Sequence, residues 1–189
     1  MPDKTALILV ADGTEEIELY DLFVRAGIKP TSAFVGATSF ITAEFATCSR
    51  GLRVVPDVNF HEIEDNARLS YDVLVIPGGM EGAKTLSQNI IVQDLVRAYI
   101  GKNKIVGMIC AGTLTALTSG LPRQPLTSHP SVREQLEKSF DYSEDQVVVS
   151  GSLVTSRGPG SSFDFALQII ALLLGDGKRS EVAGPLMYH

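Results

Sequence analysis

The chain has 189 residues, of which 44% are hydrophobic and 20% charged, with 17 glycines and no tryptophan. A chain of this length can bury roughly 70% of the surface that its unfolded form exposes, so it needs no metal or disulfide to fold. Its net charge is −6, and its 16 basic residues are scattered, which argues against a nucleic-acid-binding surface. We therefore expect one globular domain over residues 1–189.

The two cysteines, Cys48 and Cys110, lie far apart and form no C-x-x-C motif, so neither a disulfide framework nor a zinc site is indicated. Reduced thiols are the default inside a cell. The apolar run over residues 6–11 is too short for the core of a signal peptide or for a membrane span. We expect a cytoplasmic protein without membrane association, of a size that also allows entry into the nucleus.

Short apolar runs alternate with segments of helical spacing along the chain. In chain order we predict a strand at 6–11, a helix at 15–27, a strand at 31–35, a hairpin at 43–56 that turns near 49–51, a strand at 73–76, a helix at 90–100, a strand ending at 110, helices from 114 and at 131–138, a hairpin of 147–149 with 153–155, and a helix at 163–174. This alternation predicts an α/β fold with a doubly wound, mostly parallel sheet and ligands at the carboxyl ends of its strands.

Two glycine-rich segments come close to nucleotide-binding motifs but do not match them. Residues 78–85 resemble a Walker A loop, except that Ala83 stands where the motif needs glycine before Lys84. Residues 158–163 resemble a dinucleotide fingerprint, except that Phe163 stands at a glycine position. We expect neither ATP nor a nicotinamide cofactor.

Cys110 lies where a buried strand breaks before a helix. Backbone N–H groups at such a turn favour the thiolate, which suits a nucleophile. Ala111 and Gly112 are small enough for a strained nucleophile elbow, although Met108 stands where the G-x-S-x-G motif has glycine. The alternative is that Cys110 is a small buried hydrophobe, a common environment for free cysteine.

Glu18 and Gly79 lie at the same predicted edge of the sheet as Cys110. Favourable charge at a helix start explains Glu15 and Glu16, whereas Glu18, one turn further on, can point across the sheet edge towards a neighbouring strand. Gly79 follows the strand at 73–76, and its N–H can complete an oxyanion hole.

His129 is the one of three histidines placed in a loop that can reach Cys110. His61 lies in an acidic segment expected to be solvated, and His189 is terminal. A histidine before proline is as often a helix-capping residue as a catalytic one. A thiol, an imidazole and a carboxyl together would supply a nucleophile and two proton-transfer groups.

Five motifs recur in an order that marks a known family. They are residues 11–18 (ADGTEEIE), 75–79 (VIPGG), 109–112 (ICAG), 127–130 (TSHP) and 155–160 (TSRGPG). With them the chain resembles the PfpI superfamily, of the class I glutamine amidotransferase-like fold. The branch is that of the Parkinsonism-associated deglycase and of the glutathione-independent glyoxalase III enzymes of fungi and animals. The run over residues 108–116 is most similar to a fungal glyoxalase III.

The resemblance implies a three-layer flavodoxin-like sandwich, a nucleophile elbow at Cys110 and a homodimer. It makes Cys110 the nucleophile, Glu18 the carboxyl that touches its sulfur, and His129 the third catalytic group. The other residues that it implicates are Gly78, Gly79, Ala111, Gly158 and Pro159 for substrate and oxyanion binding, and Arg25, Arg50 and Arg157 for an anion-binding patch near the dimer interface.

The activity implied by the resemblance is conversion of methylglyoxal to lactate, and of glyoxal to glycolate, without glutathione, metal or cofactor. Which of Glu18 and His129 performs each proton transfer is left open. The alternatives are a sensor or chaperone acting through oxidation of Cys110, a protein deglycase, and a cysteine peptidase. Two departures from the family pattern stand out. Ala111 replaces the histidine of the peptidase-like branch, and the segment between Glu18 and Arg25 is shorter by about one helical turn.

Overall fold

The computed structural model describes residues 3–18, 21–36, 42–63 and 65–188. Its strands are β1 (Thr5–Val10), β2 (Lys29–Phe34), β3 (Ala46–Thr47), β4 (Arg53–Val54), β5 (Val58–Asn59), β6 (Val73–Ile76), β7 (Ile105–Ile109), β8 (Pro125–Leu126), β9 (Asp141–Tyr142), β10 (Val147–Ser150) and β11 (Leu153–Ser156). Within these ranges, seven strands form one sheet in the order β10-β11-β7-β6-β1-β2-β5.

The sheet is mostly parallel and buried on both faces. Among the described strands of this sheet, β10 alone runs antiparallel, as the edge strand of a hairpin with β11. Every residue of β6 is fully buried, and so is β1 from Ala6 onwards. Because successive strand residues point to opposite faces, this burial requires helices on both sides of the sheet. The predicted α/β fold with a doubly wound, mostly parallel sheet is confirmed.

The structure describes eight helices, six of which form two packed groups. They are α1 (Asp21–Arg25), α2 (Asp65–Arg68), α3 (Met80–Gln88), α4 (Ile90–Gly101), α5 (Leu114–Thr118), α6 (Arg133–Leu136), α7 (Ser162–Leu174) and α8 (Asp176–Ala183). One group joins α3, α4 and α5, and the other joins α1, α7 and α8. No helix in the described ranges combines the length and the apolar character needed to cross a bilayer.

The first predicted helix, at 15–27, is wrong in its extent. A 3-10 turn covers Glu16–Glu18, and α1 begins at Asp21. The backbone N–H of Glu15 donates to Gly78 O (3.0 Å), and Oε2 of Glu18 accepts from Gly78 N–H (2.6 Å). These bonds hold the segment against the turn that follows β6, so a regular helix starts only after it.

Two other features of the prediction also differ from the structure. The helix predicted at 131–138 is a 3-10 turn (Pro130–Val132) followed by α6, because Val132 adopts φ −114° and ψ 3°, outside the helical region. Helix α3 was not predicted, because its Gly82 lowers helix propensity. A Cβ at Gly82 would lie 2.7 Å from Thr14 N, so glycine lets α3 approach the turn after β1.

Candidate active site

Four turns meet at the carboxyl edge of the sheet. Cys110 follows β7, Gly78 follows β6, Glu18 belongs to the turn after β1, and Gly158 lies just beyond β11. Since β11, β7, β6 and β1 are neighbours in the sheet, their carboxyl ends bring these turns side by side. This is the edge at which doubly wound folds bind ligands.

Cys110 occupies a strained turn. Its φ is +59°, a left-handed conformation that a residue with a side chain adopts at an energetic cost. The residue is only 8% exposed, and the backbone N–H groups of Ala111 and Gly79 donate to its sulfur. The chain continues into a 3-10 turn and then α5. This strand, turn and helix are consistent with the nucleophile elbow expected at this position.

Glu18 contacts the sulfur from the neighbouring turn. The side chain is buried, its Oε2 accepts the Gly78 N–H at 2.6 Å, and its carboxyl is hydrogen-bonded to Cys110. Burial raises the pKa of Glu18 from its ordinary value of 4.5 to about 7, although both hydrogen bonds lower it. Its other oxygen, Oε1, is buried and has no hydrogen-bond partner among the described residues. The carboxyl can therefore gain or lose a proton near neutral pH.

The thiol is less acidic than the sequence predicts. Burial raises the pKa of Cys110 from 9.0 to about 12, and the negative charge of Glu18 adds to the rise. The predicted N–H groups of Ala111 and Gly79 do point at the sulfur and lower this pKa, but burial outweighs them. The expectation of a free thiolate is wrong for the state in which Glu18 is ionised.

Above about pH 7, Glu18 and Cys110 instead behave as a pair that holds one proton. When the proton is on sulfur, the ionised carboxylate opposes a thiolate. When it is on Glu18, the carboxyl donates to the sulfur, and the Ala111 and Gly79 N–H groups stabilise the negative charge. Thiolate therefore forms by proton transfer to Glu18 rather than by loss of a proton to solvent.

The backbone of Gly78 and Gly79 forms the floor of the site. A Cβ on Gly78 would lie 2.5 Å from Cys110 Cβ and 2.9 Å from Glu18 Oε2, so a side chain there would displace the pair. Gly79 has φ +80°, and a Cβ on it would lie 2.0 Å from Gly13 O. Glycine at these two positions lets the turn after β6 lie directly against the thiol and the carboxyl.

His129 and Gly158 form the outer side of the site. The backbone N–H of His129 donates to Cys110 O (3.3 Å), and the residue is exposed at the rim. A Cβ on Gly158 would lie 3.5 Å from His129 Cδ2 and 3.9 Å from Cys110 Sγ. The ring and the sulfur therefore border the same small space. Pro159 begins the next 3-10 turn, Pro159–Ser161, and its predicted contact with substrate stays a prediction.

Each of the three arginines of the predicted anion patch contacts a neighbouring acceptor of its own. Arg25 is paired with Asp21 (2.6 Å), Arg157 lies 3.7 Å from a carboxylate oxygen of Glu144, and the guanidinium of Arg50 donates to Ser49 O (3.3 Å). The anion patch therefore stays a prediction.

Ser131 also contacts His129, although it was not predicted as part of the site. Its backbone N–H (3.2 Å) and its hydroxyl oxygen (2.8 Å) both contact Nδ1 of His129. The sequence His129-Pro130-Ser131 could have indicated this contact. Pro130 has no N–H, so Ser131 supplies the first backbone donor after the histidine. His61 is exposed, as expected, and His189 lies outside the described residues.

Comparison with known proteins places the chain in a family. The sequence profile of the DJ-1/PfpI family matches residues 4–172. The chain belongs to this family. This match confirms the resemblance to the PfpI superfamily, and the relatives described next confirm the branch named above.

Within the DJ-1/PfpI family, relatives match along almost their whole length. "Glutathione-independent glyoxalase DJ-1" of Schizosaccharomyces pombe is 41% identical over 182 residues, which cover 93% of this chain and 94% of that protein. "Glutathione-independent glyoxalase DJR-1.2" of Caenorhabditis elegans is 32% identical over 188 residues, covering 97% of this chain and 96% of that protein. The solved structure of Schizosaccharomyces pombe DJ-1 superposes with a TM-score of 0.90 at 40% identity, covering 98% of this chain and 100% of that one.

Proposed function

We propose that this protein is a glutathione-independent glyoxalase that converts methylglyoxal to lactate and glyoxal to glycolate. The observation that carries the proposal is the buried pair of Glu18 and Cys110, with the Gly79 and Ala111 N–H groups directed at the sulfur. Such a pair supplies a nucleophile, its base and an oxyanion hole in one place. The printed names of the relatives from Schizosaccharomyces pombe and Caenorhabditis elegans support the same activity.

The first step is attack of the sulfur on the aldehyde carbon of methylglyoxal. Glu18 takes the thiol proton as the S–C bond forms, and the carbonyl electron pair becomes an oxyanion that the Gly79 and Ala111 N–H groups hold. Glu18 passes the proton on to that oxygen, which gives a hemithioacetal on Cys110. The thiol proton never has to reach solvent, which suits a cysteine residue that is only 8% exposed.

The second step moves a proton between the two substrate carbons. Glu18, again ionised, removes the proton from the carbon bonded to sulfur, while His129 protonates the neighbouring carbonyl oxygen to give an enediol. Glu18 then returns its proton to the second carbon while the hydroxyl on the sulfur-bearing carbon gives its proton to His129, which yields a lactyl thioester on Cys110. Water then adds to the thioester, the S–C bond breaks, lactate leaves, and the thiol recovers its proton. The net change is the addition of one water to methylglyoxal, without an oxidant, a metal or a cofactor.

The test measures lactate formed from methylglyoxal without added thiol. We expect Cys110→Ser to abolish turnover and Cys48→Ser to keep it. Cys48 is the matched control, because it is the other cysteine, is buried to a similar degree and lies on the β3–β4 hairpin. Full activity of Cys110→Ser, or no lactate from the wild type, would overturn the proposal. Free methylglyoxal at a known, limiting concentration separates this activity from deglycase action on glycated thiols or amines.

A second candidate, oxidation sensing at Cys110, is favoured by the same carboxyl. Because burial raises the pKa of Glu18 to about 7, it can be protonated and donate a hydrogen bond to a sulfinate oxygen. This function predicts that mild peroxide adds two oxygens at Cys110 and none at Cys48. Intact-mass measurement on the wild type and Cys110→Ser tests it, and addition of the same mass to both would exclude Cys110 as the sensor.

The homodimer is part of the proposal and is supported by an exposed apolar surface. Ile17 and Val24 lie at and beside α1, and Leu52 and Val55 flank β4, with exposed fractions between 51% and 75%. Light scattering on the purified chain tests the dimer.

We also propose a cytoplasmic location, with access to the nucleus, which imaging of a tagged chain tests.

A further inference from the structure

The starting observation is the pair of contacts at Nδ1 of His129. His129 is extended (φ −62°, ψ 139°) and caps the 3-10 turn Pro130–Val132 with its ring, whose Nδ1 accepts the Ser131 N–H at 3.2 Å. The Ser131 hydroxyl lies 2.8 Å from the same nitrogen. A backbone N–H can only donate, so Nδ1 is the acceptor in the first contact.

This contact determines the tautomer of the neutral ring. A neutral imidazole carries one N–H, and a nitrogen that accepts a hydrogen bond cannot be the one that carries it. The proton therefore resides on Nε2, and the Ser131 hydroxyl donates to Nδ1 as a second donor. Ser131 thus controls both the orientation of the ring and the place of its proton.

The opposite edge of the ring faces the site. Cδ2 is bonded to Nε2 and lies 3.5 Å from the position of a Cβ on Gly158, which is itself 3.9 Å from Cys110 Sγ. The edge that carries the proton therefore borders the space where a substrate bonded to the sulfur must lie. Nδ1, on the other edge, is occupied by Ser131.

We infer that Ser131 is a positioning residue that holds His129 as a proton donor through Nε2 to the substrate oxygen. The inference rests on the proposed function and deepens it, because it gives the acid role to His129 and leaves the base role to Glu18. Ser131 acts without touching the substrate.

The experiment combines nitrogen NMR of the histidine rings with kinetics. The 15N shifts of His129 are measured at pH 8 in the wild type, Ser131→Ala and Ser131→Thr, and His129→Gln identifies the His129 signals among the three histidines. Initial rates with methylglyoxal are measured for the wild type and the Ser131 variants. Ser180→Ala is the matched control, because Ser180 is exposed in α8.

In the wild type we expect an unprotonated Nδ1 and a protonated Nε2. Ser131→Ala keeps the backbone donor and loses the hydroxyl, so Nδ1 should stay unprotonated while its 15N shift changes through the loss of one hydrogen bond. We expect kcat to fall about threefold to tenfold with KM unchanged, as expected for one solvent-exposed hydrogen bond. Ser131→Thr should restore both measurements, and Ser180→Ala should change neither.

Two results would overturn the inference. One is a neutral wild-type ring protonated at Nδ1, and the other is Ser131→Ala with an unchanged spectrum and an unchanged kcat. A wild type that shows the expected tautomer but makes no lactate would refute the proposed glyoxalase activity and would still confirm that Ser131 controls the ring. Failure of the inference and failure of the proposed function are therefore distinguishable.

Discussion

Glu18→Gln should remove activity and, as pH rises, make the folded protein increasingly more stable than the wild type. In the unfolded chain the carboxyl loses its proton near pH 4.5, whereas burial holds its pKa at about 7 in the folded protein. Between these values the folded state binds more protons, so the stability of the wild type falls as pH rises. Glutamine has nearly the same shape and cannot ionise, so the variant lacks this loss.

The size of the effect follows from the two pKa values. Each tenfold change in an ionisation equilibrium is worth about 1.4 kcal/mol, so ionising Glu18 in the folded protein costs about 3 kcal/mol once both states have lost the proton. Part of that cost is already present at pH 5, since the unfolded carboxyl has begun to ionise there. Between pH 5 and pH 8 the free energy of unfolding of Glu18→Gln should therefore gain about 2.5 kcal/mol relative to the wild type.

Urea unfolding followed by circular dichroism, at one chain concentration and at pH 5, 6, 7 and 8, measures this difference. Glu134→Gln is the matched control, because the side chain of Glu134 is 87% exposed and its removal should give a difference that varies little with pH. A Glu18→Gln difference that is independent of pH would refute the reasoning. A wild type that gains stability relative to the variant as pH rises would show that the fold stabilises the ionised carboxylate.

Two further predictions concern the reaction. Gly158→Ala places a methyl group at ordinary contact distance from Cys110 Sγ (3.9 Å) and from His129 Cδ2 (3.5 Å). We therefore expect a folded protein whose kcat/KM falls about tenfold for methylglyoxal and less for the smaller glyoxal. Equal losses for both substrates would contradict this placement. For the wild type, kcat/KM should rise as pH passes through about 7 and then level off. The reason is that below that pH Glu18 and Cys110 both carry protons, so no base is available to the thiol. A kcat/KM that falls over the same interval would assign the active form to protonated Glu18.

The sheet and the location of the site could be predicted from the sequence because both depend on strong local signals. A parallel strand covered on both faces must be a continuous apolar run, so residues 6–11 and 73–76 were recognisable, and they correspond to β1 and β6. The glycine-rich turns after such runs all lie at one edge of the sheet. That rule places Cys110 and Gly79 side by side without any knowledge of side-chain contacts.

The acidity of the thiol and the start of α1 could not be predicted, because tertiary contacts determine them. The N–H groups at Cys110 are a local feature, whereas the burial that outweighs them depends on how four turns meet. Helix α1 begins late because Glu15 and Glu18 bond to Gly78, a residue distant in the chain. The two-residue strands β8 and β9 were missed for a related reason, since so short a segment has no period to recognise.

The backbone floor of the site restricts how relatives of this protein can diverge. A methyl group at Gly78 or Gly79 would meet atoms within 2.5 Å or 2.0 Å, so ordinary point mutations there disrupt the architecture before they alter chemistry. New substrate preferences must therefore arise on the outer side of the site, where Gly158 has room for a small side chain. Sequence differences among natural homologues should therefore be concentrated on the outer side of the site, whereas Gly78 and Gly79 on its floor should vary little.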